Sequence, residues 1–220
     1  MKIGMVVFPN LTQLDLTSPY EVFTRLPDTR LYLLAETLEP VQSGNMAFFP
    51  NATLAQNLAL NVLFVPGGGG VNLKLEDRSF LRCLKTLGDQ AQYVTSVCTG
   101  SLLLAAAGLL QGYRATTHWQ SLELLEMFGV ETVAERVVID RNRITGGGVT
   151  AGIDFGLAIA AELFDEAIAQ EIQLAMEYNP APPFQSGSPH TAPAEVVARV
   201  KVQSQNRQEK RRQIIQDLLA

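Results

Sequence analysis

Short apolar runs alternate along the chain with longer segments whose apolar residues recur every three or four positions. The short runs predict strands at residues 3–8, 31–35, 62–65, 93–97, 115–117, 137–139 and 143–145. The periodic segments predict helices at residues 19–24, 79–91, 100–107, 119–128, 150–163, 166–177 and 194–219. The turn residues Asp140, Arg141 and Asn142 predict a hairpin between the last two strands. This alternation predicts a mostly parallel sheet with helices on both faces.

Nothing in the pattern divides the chain before about residue 179. Prolines 180, 182, 183, 189 and 193 then mark an extended segment that leads into the final helix. We therefore predict an α/β domain over residues 1–179, with residues 180–220 forming an arm and a helix packed on the same unit. The final helix is rich in arginine and lysine, but acidic residues are interspersed and aromatic residues are lacking. This composition favours a solvated helix face over a nucleic-acid site.

Composition narrows the class of protein further. Of 220 residues, 47% are hydrophobic, which is enough for a substantial core, and the net charge of −5 gives no reason to expect nucleic acid as a partner. The sequence has no signal-peptide pattern, and no apolar run approaches the ~18 residues of a membrane span. Two cysteines make no disulfide framework, so we expect a reducing, cytoplasmic location. The two cysteines and two histidines show no metal-binding spacing, and we expect neither metal nor cofactor.

The segment Ser96-Val97-Cys98-Thr99-Gly100-Ser101 holds the most informative chemistry. A predicted strand leads into it, a predicted helix leads out, and the residues on both sides of Cys98 are small. This layout is the cysteine counterpart of a nucleophile elbow, in which a nucleophile occupies a sharp strand-to-helix turn. The helix N-terminus behind Cys98 favours thiolate, so we expect its pKa to lie below that of a free thiol.

Other candidate residues follow the remaining predicted strands, whose carboxyl ends should border one crevice. Asp15 follows the first strand. The helix beyond it already has a capping pattern at Ser18-Pro19-Tyr20-Glu21, so Asp15 is free for another role. Between two leucines and beside a thiol, its carboxyl should be desolvated, with a raised pKa that suits proton transfer near neutrality.

Two glycine-rich loops and a histidine also lie at strand ends. Residues 67–70 are glycines that can form an anion-binding nest, or simply a turn. Asn72 stands where a dinucleotide fingerprint needs its third glycine, and no Lys-Ser or Lys-Thr follows, so neither nucleotide motif is present. Thr150, after the second glycine run, is expected to cap the next helix.

His118 has three open roles, as a general base, as a neighbour that tunes the thiol, or as a hydrogen-bonded structural residue. Cys83 is spaced like a core residue.

Three segments together resemble the ThiJ/PfpI superfamily, namely Val65-Pro66-Gly67-Gly68, residues 95–100 and Ala115-Thr116-Thr117-His118-Trp119. The Asp15 loop and the C-terminal proline segment are more similar to the isocyanide hydratases of that group. The resemblance implies a flavodoxin-like three-layer sandwich with an added C-terminal helix, and a homodimer. It also implies hydration of an isocyanide to an N-formamide without a metal.

The resemblance also assigns roles to individual residues. It implies Cys98 as nucleophile, Asp15 as acid/base and Thr99 as a supporting residue, with a backbone anion site at Gly68 and Thr99. His118 is expected in the pocket. Superfamily members with protease-like chemistry have histidine after the cysteine, where this chain has Thr99, so peptidase activity is not expected. Regulators of the superfamily append a helix-turn-helix module, and because this sequence ends at residue 220 we do not expect a DNA-binding regulator.

The residues and the resemblance together imply a mechanism, which has two rivals. Cys98 would attack the isocyanide carbon, Asp15 would supply the proton, and water would release the formamide from a thioimidate. One rival is a glyoxalase-like enzyme of the same superfamily, acting on small carbonyl compounds. The other is a redox sensor whose Cys98 is oxidised to sulfinic acid. For the arm, we expect Phe184 to contact the body of the protein or a partner subunit, the competing interpretation being a flexible tail.

Overall fold

The computed structural model describes residues 1–220 and is organised around a seven-stranded sheet. Its strand order is β10-β11-β7-β6-β1-β2-β5, and every neighbouring pair is parallel except the antiparallel hairpin β10–β11. Two further two-stranded sheets pair β3 with β4 and β8 with β9. The strands are β1 (Lys2–Val6), β2 (Arg30–Ala35), β3 (Val41–Ser43), β4 (Met46–Phe48), β5 (Ala52–Thr53), β6 (Val62–Val65), β7 (Tyr93–Val97), β8 (Arg114–Ala115), β9 (Glu131–Thr132), β10 (Val137–Asp140) and β11 (Arg143–Gly146).

Helices flank the sheet, which confirms the predicted three-layer α/β architecture with a C-terminal helix. The helices are α1 (Gln13–Phe23), α2 (Val71–Glu76), α3 (Arg78–Gln90), α4 (Gly100–Ala106), α5 (Leu122–Glu126), α6 (Gly152–Leu163), α7 (Glu166–Ala175) and α8 (Ala194–Leu219). Helix α6 packs against both α1 and α7, and α2, α3 and α4 pack against one another. None of the helices combines the length and the apolar composition needed to cross a membrane.

The core lies where the central strands meet the helices. All four residues of β6 are buried, as expected for a parallel strand covered on both faces. Phe64 of β6 lies 5.6 Å from Phe155 of α6 and 6.4 Å from Phe23 of α1, measured between ring centroids. These aromatic contacts fix two helices to the middle of the sheet.

The register of the strands brings the carboxyl ends of the central strands to the same edge of the sheet. Val65 of β6 aligns with Ser96 of β7, and Gly146 of β11 aligns with Val97. The loops that follow β1, β6, β7 and β11 therefore meet at one edge, which confirms the expectation of a shared crevice.

Helix α1 differs from the prediction because it begins at Gln13 and not at Pro19. Ser18 and Pro19 lie inside the helix, so the predicted capping box at this point is wrong. The Ser18 hydroxyl instead donates to the carbonyl of Leu14 at 2.6 Å. Asp15 is consequently a residue of the first helical turn and not of a loop.

Three other local predictions also need correction. The strand predicted at residues 115–117 is the two-residue β8, which pairs with β9 outside the main sheet. Thr150 does not cap α6, which begins at Gly152, and its carbonyl accepts a hydrogen bond from Arg136. The small strands β3 to β5 and the helix α2 have no counterpart in the prediction, because their segments are too short to show a clear periodicity. The hairpin through Arg141 and Asn142 is confirmed.

Helix α8 lies against α2 and α5 and is not solvated on all sides. Ile214 and Ile215 are buried, and Arg211, predicted to lie on a solvated face, is only 2% exposed. That part of the sequence interpretation is wrong, because Arg211 falls on the same face of the helix as the two isoleucines.

In the arm, Phe184 remains 76% exposed and makes no buried contact with the body of the same chain.

These contacts predict that α8 stabilises the folded unit. Ile215→Ala should lower the free energy of unfolding by about 2–5 kcal/mol, because it leaves a cavity at a fully buried site. Val202→Ala on the same helix is the matched control, since Val202 is 70% exposed and should change stability by less than about 0.5 kcal/mol. Chemical denaturation of both variants makes the comparison. Equal stability of the two would show that α8 is dispensable for folding.

Candidate active site

Cys98 occupies the sharp turn between β7 and α4. Its φ of 53° lies in the left-handed region, which costs energy for a residue with a side chain. The turn is held by the Cys98 backbone N–H, which donates to the carbonyls of Gly146 and Gly147 at 3.0 and 2.8 Å. The Cys98 carbonyl accepts from the hydroxyls of Ser101 and Thr117 at 3.2 and 2.8 Å. The strained conformation predicted for a nucleophile elbow is therefore present and is fixed on both sides of the residue.

Close approach of the neighbouring loop explains two of the glycines. A Cβ on Gly67 would lie 2.5 Å from the backbone nitrogen of Thr99 and 2.9 Å from the Cβ of Cys98. A Cβ on Gly100 would overlap the carbonyl oxygen of Val65. Glycine at these two positions lets the loop after β6 lie directly against the elbow.

Asp15 reaches the elbow from the first turn of α1 and is fully buried. One carboxyl oxygen, Oδ2, accepts a hydrogen bond from the backbone N–H of Gly67 at 3.1 Å. The other, Oδ1, is buried and has no well-formed hydrogen bond. The same carboxyl interacts with the Cys98 thiol. The structure thus brings together the two residues that the sequence placed after different strands.

Burial dominates the titration of this pair. Desolvation raises the pKa of Asp15 to about 7, although hydrogen bonds from Cys98 and Gly67 act in the opposite direction. The pKa of Cys98 is also raised, first by burial and then by the neighbouring carboxylate, and the backbone and side chain of Thr99 lower it only in part. The expected low thiol pKa is therefore wrong for the resting protein. Asp15 is the first of the two to ionise, and the pair then holds one proton.

Thr99 stands next to Cys98 and links the elbow to the glycine loop. Its hydroxyl oxygen accepts a hydrogen bond from the backbone N–H of Gly68 at 3.1 Å. Both the backbone and the side chain of Thr99 interact with the Cys98 sulfur. Gly68 itself has a φ of 134° and pairs with Leu11 in an isolated β-bridge. The glycine loop is thereby held between Thr99 on one side and the loop after β1 on the other.

His118 lies at the rim of the cavity above Cys98. Its Nδ1 accepts a hydrogen bond from the backbone N–H of Gln120 at 3.3 Å, and its ring stacks on Trp119 with centroids 6.0 Å apart. Burial, Arg207 and Arg211 lower the pKa of His118 to about 4, so the imidazole is neutral at physiological pH. Cys83 is partly buried against the core and does not line the cavity above Cys98.

The cavity above Cys98 has a volume of about 120 Å³ and a mainly polar lining. Helix α8 contributes Arg207, Gln208 and Arg211 to its wall, which the sequence interpretation missed. The available signal was spacing, because Arg211 precedes Ile214 and Ile215 by three and four positions and so shares their apolar face.

No group of three or more histidine, cysteine or acidic side chains is arranged to hold a metal ion.

Comparisons with known proteins agree with this geometry. The model of the DJ-1/PfpI family matches residues 1–162. An isonitrile hydratase of Pseudomonas putida is 52% identical over 198 residues, which cover 90% of this chain and 87% of that protein. A helix-turn-helix transcriptional regulator of Pseudomonas aeruginosa is 32% identical over 164 residues, covering 70% of this chain and 44% of the regulator.

A solved structure extends the similarity to the whole fold. It is a ThiJ/PfpI family protein from Pseudomonas syringae, with a TM-score of 0.94 and 43% identity, and the match covers 97% of this chain and 90% of that one. The family match also covers the elbow, the glycine loop and Asp15, all of which lie within residues 1–162. On these grounds the chain belongs to the DJ-1/PfpI family.

Proposed function

We propose that this protein hydrates isocyanides, converting R–NC and water to the N-formamide R–NH–CHO. The observation that supports this most directly is the buried pair of Cys98 and Asp15, a nucleophile next to a carboxyl whose pKa is about 7. The 52% identical relative is an isonitrile hydratase, isonitrile being a synonym of isocyanide.

The first step uses the single proton of the pair. The Cys98 sulfur forms a bond to the terminal carbon of the isocyanide, and the thiol proton passes through Asp15 to that same carbon. The product is a thioimidate, R–N=CH–S–Cys98, and Asp15 is left as carboxylate. Asp15 Oδ1 suits this transfer because no other protein group holds it, whereas Oδ2 is fixed by Gly67. Covalent capture divides a difficult hydration into two easier steps.

The second step regenerates the thiol. Asp15 removes a proton from a water molecule as the water oxygen adds to the thioimidate carbon, and Asp15 then passes that proton to the nitrogen. The resulting R–NH–CH(OH)–S–Cys98 then collapses, the carbon–sulfur bond breaks, and the formamide leaves. Asp15 accepts the hydroxyl proton as the formamide carbonyl forms and returns it to the sulfur, so the pair again holds one proton. Thr99 assists by interacting with the sulfur as charge develops on it, in line with its predicted supporting role.

The neighbouring predicted residues contribute without exchanging protons. The backbone around Gly68 and Thr99 shapes the pocket beside the sulfur, and His118, being neutral, can orient a polar substrate atom or water. We assign no acid/base step to His118, because a pKa of about 4 makes it a poor proton carrier at neutrality.

We further infer a cytoplasmic homodimer. Both cysteines are free thiols, as a reducing compartment requires. The apolar side chains of Leu174 and Phe184 are 82% and 76% exposed, and a subunit interface would cover such side chains. The exposed Phe184 favours contact with a second copy over contact with its own domain.

Replacement of Cys98 tests the covalent mechanism. Cys98→Ala and Cys98→Ser should reduce formamide production by at least about a thousandfold, because the nucleophile is lost. Cys83→Ser is the matched control, since Cys83 is a second free thiol outside the cavity and should retain normal activity. Ultraviolet absorbance of an aryl isocyanide follows turnover, with methylglyoxal as the parallel substrate for the glyoxalase alternative. Preferential turnover of methylglyoxal would favour that alternative.

The proposed proton transfer predicts a particular pH dependence. Below the pKa of Asp15 the pair holds two protons and no base is available, so kcat/KM should fall as pH decreases through about 7. Above this pH the one-proton form prevails and the rate should reach a plateau. Asp15→Asn should lower the rate about a hundred- to ten-thousand-fold and abolish the inflection. An unchanged inflection in Asp15→Asn would assign it to another group.

The same carboxyl should cost the protein stability at higher pH. The folded-state pKa is raised from 3.8 to about 7, so folding favours the protonated form, and this stabilisation is lost as pH rises through that interval. Asp15→Asn should therefore match the wild type near pH 4 and exceed it at pH 8 by up to about 4 kcal/mol, from three units at about 1.36 kcal/mol each. Asp89→Asn, at an exposed carboxylate paired with Lys85, should show no such gain. Denaturant unfolding at both pH values measures the difference.

A further inference from the structure

Helix α8 places two arginines over the catalytic cysteine. Arg211 is 2% exposed and Arg207, one helical turn earlier, reaches the same cavity from the more exposed side. Both line the space that also borders Cys98 and Thr99. Neither residue has a part in the proton transfers of the proposed hydration.

Arg211 is buried with neutral partners only. Its Nε donates to the Asn72 side-chain oxygen at 2.7 Å, one terminal nitrogen donates to the Ser121 hydroxyl at 3.3 Å, and the other reaches the Gly68 carbonyl at 3.5 Å. No carboxylate lies within 4 Å of it, although seven other cationic side chains of this protein have such a partner. Burial of an arginine without a counter-ion is costly, so an ionic partner from outside the chain would be strongly favoured there.

Arg207 adds a second positive charge without a partner. It makes no ion pair, whereas Arg212 on the same helix pairs with Glu123 at 3.1 Å. Arg207 and Arg211 are four residues apart, a spacing at which like charges repel. Burial lowers the pKa of Arg211 to about 10, Cys98 acts in the opposite direction and Arg207 adds to the fall, yet the guanidinium remains charged at neutral pH. His118, which faces both arginines, is neutral and supplies no negative charge.

We propose that the cavity recognises an anionic group of the substrate, and that the natural substrates are isocyanides bearing a carboxylate near the isocyano group. This assignment rests on the proposed hydratase function and adds the substrate class to it. Arg207 and Arg211 bind the carboxylate, while the isocyano carbon faces Cys98. A guanidinium matches the two oxygens of a carboxylate in bidentate fashion, and burial strengthens such a pair.

The size of the cavity supports a small substrate. A volume of about 120 Å³ is well below the roughly 300–1,000 Å³ of pockets that hold drug-sized ligands. A compact isocyano carboxylate suits a cavity of this size, whereas a long apolar chain would find few apolar side chains in the lining. The charge and the volume thus indicate the same class of molecule.

The first experiment compares isocyanoacetate with isocyanoacetamide, which has nearly the same shape and no charge. Wild-type protein should hydrate the anion with a kcat/KM at least about tenfold higher, the ratio expected from a charged hydrogen bond worth about 1.4 kcal/mol or more. Equal values for the two compounds would overturn the proposal. Failure to hydrate either compound, or any aryl isocyanide, would instead overturn the hydratase function itself.

Variants then assign the preference to the two arginines. Arg207→Gln and Arg211→Met should each lower the anion-to-amide ratio of kcat/KM about tenfold. Arg199→Gln is the matched control, because Arg199 is exposed on the same helix, lies outside the cavity and undergoes the same loss of charge. An equal fall for both substrates in Arg211→Met, with the ratio unchanged in Arg207→Gln, would show that the arginines serve the reaction or the fold and not the substrate charge.

A binding measurement independent of turnover completes the test. In Cys98→Ser protein, N-formylglycine should raise the unfolding temperature, and N-formylglycinamide should do so less at equal concentration, because a bound ligand stabilises the folded state. Arg207→Gln introduced into this background should remove the difference. Equal shifts with the anion and the amide would contradict an anion site even in a protein that hydrates isocyanides.

Discussion

The site depends above all on the close contact between the glycine loop after β6 and the elbow after β7. Cys98 can hold its left-handed φ because the carbonyls of Gly146, the last residue of β11, and of Gly147 accept its N–H, and two hydroxyls donate to its carbonyl. The contact is possible only because Gly67 and Gly100 have no side chains to separate the two segments. The same loop donates the Gly67 N–H to Asp15, so this one contact positions both residues to which the proposed mechanism assigns the chemistry, Cys98 and Asp15.

The close contact between the glycine loop and the elbow also affects the titration of Asp15 and Cys98. Packing of α1 against the loop excludes water from Asp15, and exclusion of water raises the pKa of both the carboxyl and the thiol. In the proposed mechanism the pair must supply both a nucleophile and the proton that the isocyanide carbon receives. A thiol next to a carboxyl of pKa about 7 meets that requirement of the proposal, and the desolvation energy of Asp15 is the cost in stability of that arrangement.

The sequence predicted the parts of this arrangement that are encoded locally. Strand β6 is a continuous apolar run, and the small residues around Cys98 indicate the elbow directly. Asp15 was also found, but from the wrong premise, since the apparent capping box at Ser18 and Pro19 lies within α1. The thiol pKa was predicted in the wrong direction because the helix N-terminus is visible in the sequence, whereas burial beside Asp15 arises only from tertiary packing. Spacing places Arg211 on the same helix face as Ile214 and Ile215, but it does not reveal what that face contacts, and the hydrogen bond from Arg211 to Asn72 spans 139 residues.

The contribution of α8 changes how the whole chain should be understood. An α/β sheet of this type leaves its strand ends open to solvent, and the site on them gains a wall only when another element covers it. Here the covering element buries Ile214 and Ile215 and, in the same turn, directs Arg211 at the cavity. The apolar contacts hold in place a charge that would be unfavourable alone, so the stability of the C-terminal helix and the electrostatic character of the pocket are parts of one interaction.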